Sequence, residues 1–219
     1  MTTKKLAPEP IRDPKTDHLL TPDNSVIVFI DYQPGQYATV GSASAEEINL
    51  GAVTLAKLAR SYEVPTILTT VAVDMGVNES TIPAITDELP GVEEIDRTGV
   101  NSWEDADFRA AIEATGRRKV IMAGLWTEVC LAFPTLDMLK EGYEIYPVID
   151  AVGGVSAVSH ETAIQRMVQA GAQPITSLAL GCEFMRNWAR DDADLYRVVI
   201  NDYFRRKREI GQSSGDLFN

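Results

Sequence analysis

Up to Asn24 the chain carries four prolines and many charges, with no regular apolar spacing. The texture then changes. Ser25-Val26-Ile27-Val28-Phe29-Ile30 is a nearly continuous apolar run closed by Asp31, the pattern of a parallel strand covered on both faces. From Ala45 to Tyr62, the residues Ile48, Leu50, Val53, Leu55, Leu58 and Ala59 recur near helical spacing, and 65–71 returns to a strand pattern. The rhythm continues with a short helix at 82–89, a strand at 93–96, a helix at 105–115 stopping at Gly116 and a strand at 119–124. A helix at 128–141 stopping at Gly142, a strand at 143–149, a helix at 160–170 stopping at Gly171 and a strand at 173–176 complete it; glycine is favoured just past helix ends. Six strands alternating with helices predict an α/β fold, a three-layer α/β/α arrangement around a six-stranded, mostly parallel, Rossmann-like sheet.

The tail from Cys182 to Phe204 places Trp188, Leu195, Tyr196, Val199, Ile200, Tyr203 and Phe204 along one side of an expected helix, suited to covering the sheet edge or a neighbouring subunit. The chain therefore divides into an N-terminal arm (1–24), one domain (25–181) and a C-terminal helical extension (182–219) that packs on the domain or on a neighbouring subunit. The arm is expected to stay mobile or to pack on a neighbouring subunit.

Composition adds limits. With 219 residues, 45% hydrophobic and 24% charged, the chain can bury one substantial core. A formal net charge of −12 argues against nucleic acid as a partner, because phosphate backbones are bound by clustered Lys and Arg. No apolar run approaches the roughly 20 residues that cross a bilayer, and no secretory leader pattern is visible, so no membrane association is expected. Two cysteines, Cys130 and Cys182, do not make the dense framework of a small secreted domain. A cytoplasmic, reduced protein is expected.

In open parallel sheets ligands gather at the carboxyl ends of the strands. Asp31, Arg97 and Cys130 each follow an expected strand there. A thiol in the first turn of a helix meets unpaired N–H groups and the positive end of the helix dipole, which lower its pKa. A cation such as Arg97 lowers it further, and Asp31 could accept its proton, as covalent catalysis requires. Backbone N–H groups of the turn Thr127 to Cys130 would face the oxygen of a tetrahedral intermediate. Spacing alone leaves the plain alternative open, in which Cys130 is a small buried hydrophobe and Asp31 a cap.

The string Ala123-Gly-Leu-Trp-Thr-Glu-Val-Cys130 resembles the nucleophile signature of the isochorismatase-like cysteine hydrolases, where it accompanies an early Asp-x-Gln like Asp31-Tyr32-Gln33. Further strings, Asn101-Ser-Trp103-Glu-Asp-Ala-Asp-Phe108, Arg166-Met-Val-Gln-Ala-Gly-Ala-Gln173 and Gly181-Cys-Glu-Phe-Met-Arg-Asn-Trp188, resemble the bacterial YcaC-type subgroup. The likeness runs from about Ser25 to Trp188. It implies the isochorismatase-like hydrolase fold, with Asp31 as general base, Cys130 as the nucleophile of an acyl-enzyme, and Arg97 where the family usually has lysine. YcaC-type members have arginine there, a fixed charge with a planar fork of donors, suited to stabilising a thiolate or orienting substrate.

The resemblance also implies a non-proline cis peptide between Trp126 and Thr127 that would aim oxyanion-hole donors at Trp126, Thr127 and Cys130. Gln33, Asn101, Trp103 and Phe133 are the candidate substrate-binding residues; for Trp103 and Phe133 ordinary core packing is an equal alternative. Nicotinamidase relatives bind a metal through an Asp and histidines after the second strand, but Val71-Ala-Val-Asp74-Met-Gly-Val-Asn78 holds no histidine. His18 and His160 read as surface or capping residues and Cys182 as packed, so no metal and no cofactor is expected. The implied activity is hydrolysis of a small amide-like C–N bond in a small-molecule substrate, by a homo-oligomer of up to eight subunits. A second class stays open: a catalytically silent oligomer that binds a small ligand, or a thiol redox sensor at Cys130.

Overall fold

A computed structural model describes residues 12–216, with side chains described to residue 211. Five parallel strands, β1 (Ser25–Ile30), β2 (Thr66–Val71), β3 (Glu94–Arg97), β4 (Lys119–Gly124) and β5 (Glu144–Pro147), lie in the order β3-β2-β1-β4-β5. Every residue of the central β1 is buried, as its unbroken apolar pattern requires of a strand with layers on both faces. The chain runs from β1 outward to β3 on one side, then returns to β4 and β5 on the other. That reversal opens a crevice between the carboxyl ends of β1 and β4, where Asp31 and the segment leading to Cys130 emerge.

The expected sixth strand at 173–176 is not a strand. Gln173 donates to Ile145 O and Ile175 to Pro147 O, both at 2.9 Å, but only a single bridge between Val148 and Ile175 forms. Pro174 has no N–H to give, and Thr176 is already the cap of the next helix, its Oγ1 accepting from Ala179. The sheet edge ends there.

The helices are α1 (Pro34–Tyr37), α2 (Ala45–Ser61), α3 (Pro83–Thr86), α4 (Ala106–Ala114), α5 (Ala132–Lys140), α6 (Ala157–Ala170), α7 (Ser177–Met185) and α8 (Ala193–Asp216). Reciprocal bonds between Ser44 and Glu47 start α2, a capping box legible in the sequence. Ser156 caps α6 through the Ser159 N–H, so that helix begins before His160. In place of one helix from Cys182, the tail makes two, broken at Arg186, which takes φ of 58°. α8 lies along α2, with Lys57 Nζ 2.6 Å from Asp202 Oδ2 and Arg206 donating to Thr54 Oγ1 at 2.7 Å.

The described part of the N-terminal arm is fastened to its own domain rather than free. Lys119 Nζ donates to the carbonyls of Asp17 at 2.8 Å, His18 at 2.6 Å and Leu19 at 3.2 Å, a full set of acceptors for a buried ammonium. Arg186 pairs with Asp17 at 3.1 Å, and Leu20 is buried in the core. Residues 1–11 of the expected arm lie outside the described residues. Among the described residues no helix is long and apolar enough to cross a membrane.

Candidate active site

Asp31 and Arg97 meet at the carboxyl ends of β1 and β3. Arg97 donates through both terminal nitrogens to the two carboxylate oxygens of Asp31, each at 2.7 Å, and both side chains are fully buried. The guanidinium also donates to Thr70 O at 2.9 Å and Thr69 Oγ1 at 3.3 Å. Burial alone would favour the neutral form of Arg97, but the Asp31 carboxylate outweighs it and holds the group above its ordinary value. Arg97 Nε–H is buried and has no partner. Asp31 takes φ of 58° directly after β1, a left-handed conformation that a short polar side chain tolerates better than most. Its N–H still bonds Thr69 O at 2.9 Å, so the backbone turns and the carboxylate is aimed across the strand ends.

Cys130 reaches the same place from β4. The expected helix from Glu128 is instead a wide π-helical turn over Thr127–Leu131, followed by α5; such turns recur at functional sites. The cis peptide joins Leu125 and Trp126, one bond before the expected position. Leu125 N–H extends the β4 ladder to Ile30 O, and Thr127 N–H donates to Gly153 O, both at 3.0 Å, so the segment is held to β1 on one side and to Gly153 on the other. The same bond commits Thr127 N–H and removes it from the expected oxyanion donors. Trp126 N–H instead faces the Cys130 sulfur.

The Cys130 thiol is close enough to the Asp31 carboxylate to feel its charge, and Cys130 is only 6% exposed. Its electrostatics run opposite to the sequence expectation of a depressed pKa. Burial pushes the thiol up, and the Asp31 charge and hydrogen bond push the same way; Arg97 and the Trp126 N–H oppose them without prevailing. Arg97's charge is largely spent on Asp31, which explains why the cation does not win. The resting site therefore holds a neutral thiol beside an ion pair.

The expected substrate-binding residues mostly have internal duties. Gln33 donates to Val71 O at 3.2 Å and Glu79 O at 2.7 Å and accepts from Val71 N–H at 3.1 Å, tying the loop after β2 to the end of β1. Asn101 donates to Asp137 at 2.8 Å and accepts from Trp103 N–H at 3.1 Å. Trp103 is buried against Phe108 and Tyr143, its indole N–H on Glu141 at 2.9 Å, so core packing describes it. Phe133 is half-buried in the first turn of α5, packed against the core. His18 lies by Arg12 and Asp17, and Cys182 is exposed with its sulfur 3.3 Å from Tyr196 Oη.

Sequence reasoning missed two supports of the site. Asp96 accepts from Thr70 Oγ1 at 2.9 Å, Val73 N–H at 3.1 Å and Asp74 N–H at 2.9 Å. Burial would raise its carboxyl, yet these donors hold it below the ordinary value. His160 Nδ1 lies 2.9 Å from Thr127 Oγ1, on the nucleophile's own turn. A short strand giving its carboxylate to the next loop is the only signal that pointed to Asp96; none pointed to His160. A cleft of about 420 Å³ beside Asp17, Tyr62 and Arg186 opens at the amino ends of the strands, the wrong end for this chemistry.

Comparison with known proteins agrees with this architecture. The isochorismatase domain family matches residues 25–178. The probable hydrolase YcaC of Escherichia coli is 34% identical over 188 residues, covering 84% of this chain and 90% of its own. A structure of YcaC from Pseudomonas aeruginosa with hexane-2,5-diol and covalent acrylamide superposes with a TM-score of 0.82 at 35% identity, over 91% of this chain and 98% of that one. The Escherichia coli YcaC structure, described as an octameric hydrolase of unknown specificity, gives 0.78 at 34% identity over 92% and 98%. The chain belongs to the isochorismatase family, as a hydrolase-like member similar to YcaC.

Proposed function

We propose that the protein is a cysteine-dependent hydrolase that cleaves a small, neutral, amide-like C–N bond through an acyl-enzyme on Cys130. The observation that carries the reading is a buried Cys130 thiol that feels the charge of the Asp31 carboxylate, itself held on both oxygens by Arg97. Asp31 takes the thiol proton as sulfur bonds the carbonyl carbon; the oxygen, now negative, draws on the N–H groups of Trp126 and Cys130. Collapse breaks the C–N bond, and the leaving nitrogen recovers the proton from Asp31. Water then attacks the thioester, giving its proton to Asp31, and the thiol is reformed as the acid departs. Arg97 keeps its proton throughout and fixes the carboxylate.

Charge favours a neutral substrate, since the buried ion pair leaves no free charge to meet a substrate anion. The YcaC relative with covalent acrylamide supports reactivity of this kind, because acrylamide adds to thiols. A redox-sensing role is disfavoured by the upward shift of a buried thiol, since sensor thiols are exposed and acidic. Cytoplasmic location and a homo-oligomer as large as an octamer belong to the same proposal; the octameric relative supports the second. Sedimentation at micromolar concentration as a monomer would remove it.

The function is tested by mapping iodoacetamide adducts on the native protein and by screening small amides with Cys130→Ala as control. Labelling mapped to Cys130, together with turnover lost in Cys130→Ala and in Asp31→Asn, is expected. Turnover unaffected by Cys130→Ala would refute the nucleophile.

A further inference from the structure

The turn carrying Cys130 is fastened from α6. Thr127 is fully enclosed, and its hydroxyl has His160 Nδ1 as partner at 2.9 Å. A buried hydroxyl leaves its hydrogen orphaned unless it donates, so Nδ1 is the acceptor and the imidazole is the neutral tautomer with hydrogen on Nε2. Glu128, the next residue of the turn, accepts from Val155 N–H at 3.0 Å through Oε1, while its buried Oε2 has no partner. A Cβ placed on Gly154 would touch both Glu128 Oε2, at 2.5 Å, and His160 Cβ, at 3.1 Å. The spare carboxylate oxygen and the base of the His160 side chain thus flank the same glycine, and the Glu128 charge acts on the imidazole.

We infer that His160 is a positioning residue with a proton-operated latch: neutral, it holds Thr127 and the nucleophile turn, and protonated, it turns to Glu128 and lets that turn loosen. Protonation places a hydrogen on Nδ1, where it opposes the Thr127 O–H, and creates a cation for which Glu128 Oε2 is a waiting acceptor. Other groups facing the ring are Glu161 on its own helix and Glu47 of α2, Asp150 before α7 and Lys207 of α8, which share a cavity of about 460 Å³ with it. Glu47 and Asp150 are engaged as caps, with Ser44 and Ser177. Burial keeps His160 below its ordinary value, against Glu128 and Glu161, which act the other way. The holding state is therefore the one present at neutral pH, and the latch opens as pH falls below about 6.5.

This inference rests on Cys130 as nucleophile for its purpose but not for its test. Hydrogen exchange of the peptide spanning 125–131, corrected for intrinsic rates, is compared at pH 7.5 and 5.5 in the full-length protein, His160→Asn and His160→Leu. Asn offers an acceptor near the position of Nδ1 but does not titrate. Protection in the unmodified protein is expected to drop several-fold at pH 5.5, to stay high at both pH values in His160→Asn, and to be low at both in His160→Leu. The ratio of iodoacetamide labelling at Cys130 to that at exposed Cys182 should run the opposite way, rising where protection falls, because loosening relieves the burial that raises the thiol. Equal protection at both pH values in the unmodified protein, or no rescue by Asn, overturns the latch. If exchange behaves as expected while Cys130 never labels, the latch stands and the nucleophile assignment falls.

Discussion

Arg97→Ala removes one partner of an ion pair whose two side chains are fully buried. The loss includes two contacts of 2.7 Å to Asp31 and one of 2.9 Å to Thr70 O, and it strands a carboxylate away from water. Breaking a buried pair from one side costs about 3–5 kcal/mol. In a chain of this size each kcal/mol moves Tm by about 2–4 °C, giving a fall of about 6–20 °C. Arg97→Lys, keeping the charge but not the fork, should fall between, and Asp31→Asn combined with Arg97→Met should recover part of the loss. Thermal melts at one fixed protein concentration, to hold subunit association constant, measure all four. A melt of Arg97→Ala within about 2 °C of the unmodified protein would show that the pair is not what holds this end of the sheet.

Three further outcomes follow from the same contacts. Because the Cys130 thiol is raised by burial and by Asp31, its labelling rate should still climb through pH 9, and a plateau below pH 8 would contradict it. The same shift gives stability that is present below the unfolded thiol pKa of about 8.5 and lost above it, by at most about 1.4 kcal/mol per pH unit; Cys130→Ala should flatten that loss in urea titrations. A Cβ on Gly181 would lie 2.2 Å from Tyr196 Cε2, so Gly181→Ala should destabilise by about 1–3 kcal/mol through overpacking, read as a lower urea midpoint. Lys119→Met withdraws the donor that gathers three carbonyls of residues 17–19; limited proteolysis should then cut within residues 12–24 much faster, and unchanged cutting would mean the other ties suffice.

The layered fold was legible because its main strands, β1 and β4, are buried along their whole length and are apolar after their first residues, Ser25 and Lys119. Where edges decide, patterning weakens. Gln173 to Thr176 reads as a strand from Ile175 and Thr176, but Pro174 and the capping duty of Thr176 end it after one bridge. The tail reads as one helix because its apolar spacing survives the break at Arg186, where a positive φ leaves no trace in hydropathy. The N-terminal residues looked detachable for the same reason: what holds them is a lysine of β4 donating to backbone carbonyls, and backbone acceptors have no sequence signature.

In the candidate site the convergence of residues was legible and the electrostatics were not. Asp31, Arg97 and Cys130 come together because each follows or ends a strand at the carboxyl edge of one parallel sheet, with Arg97 of β3 reaching across β2 to Asp31. The expectation that Arg97 lowers the thiol pKa treated its charge as free. Once both guanidinium branches are given to Asp31, a thiol beside the pair meets little net charge and considerable desolvation, and burial decides. The same accounting separates the polar residues of the neighbourhood: Gln33 and Asn101 lie near the strand ends but have their donors and acceptors filled internally, whereas Arg97 Nε and Glu128 Oε2 are buried and unfilled. Under the proposed function and latch, this unfilled donor and unfilled acceptor are the groups left available to a substrate carbonyl and to a protonated imidazole.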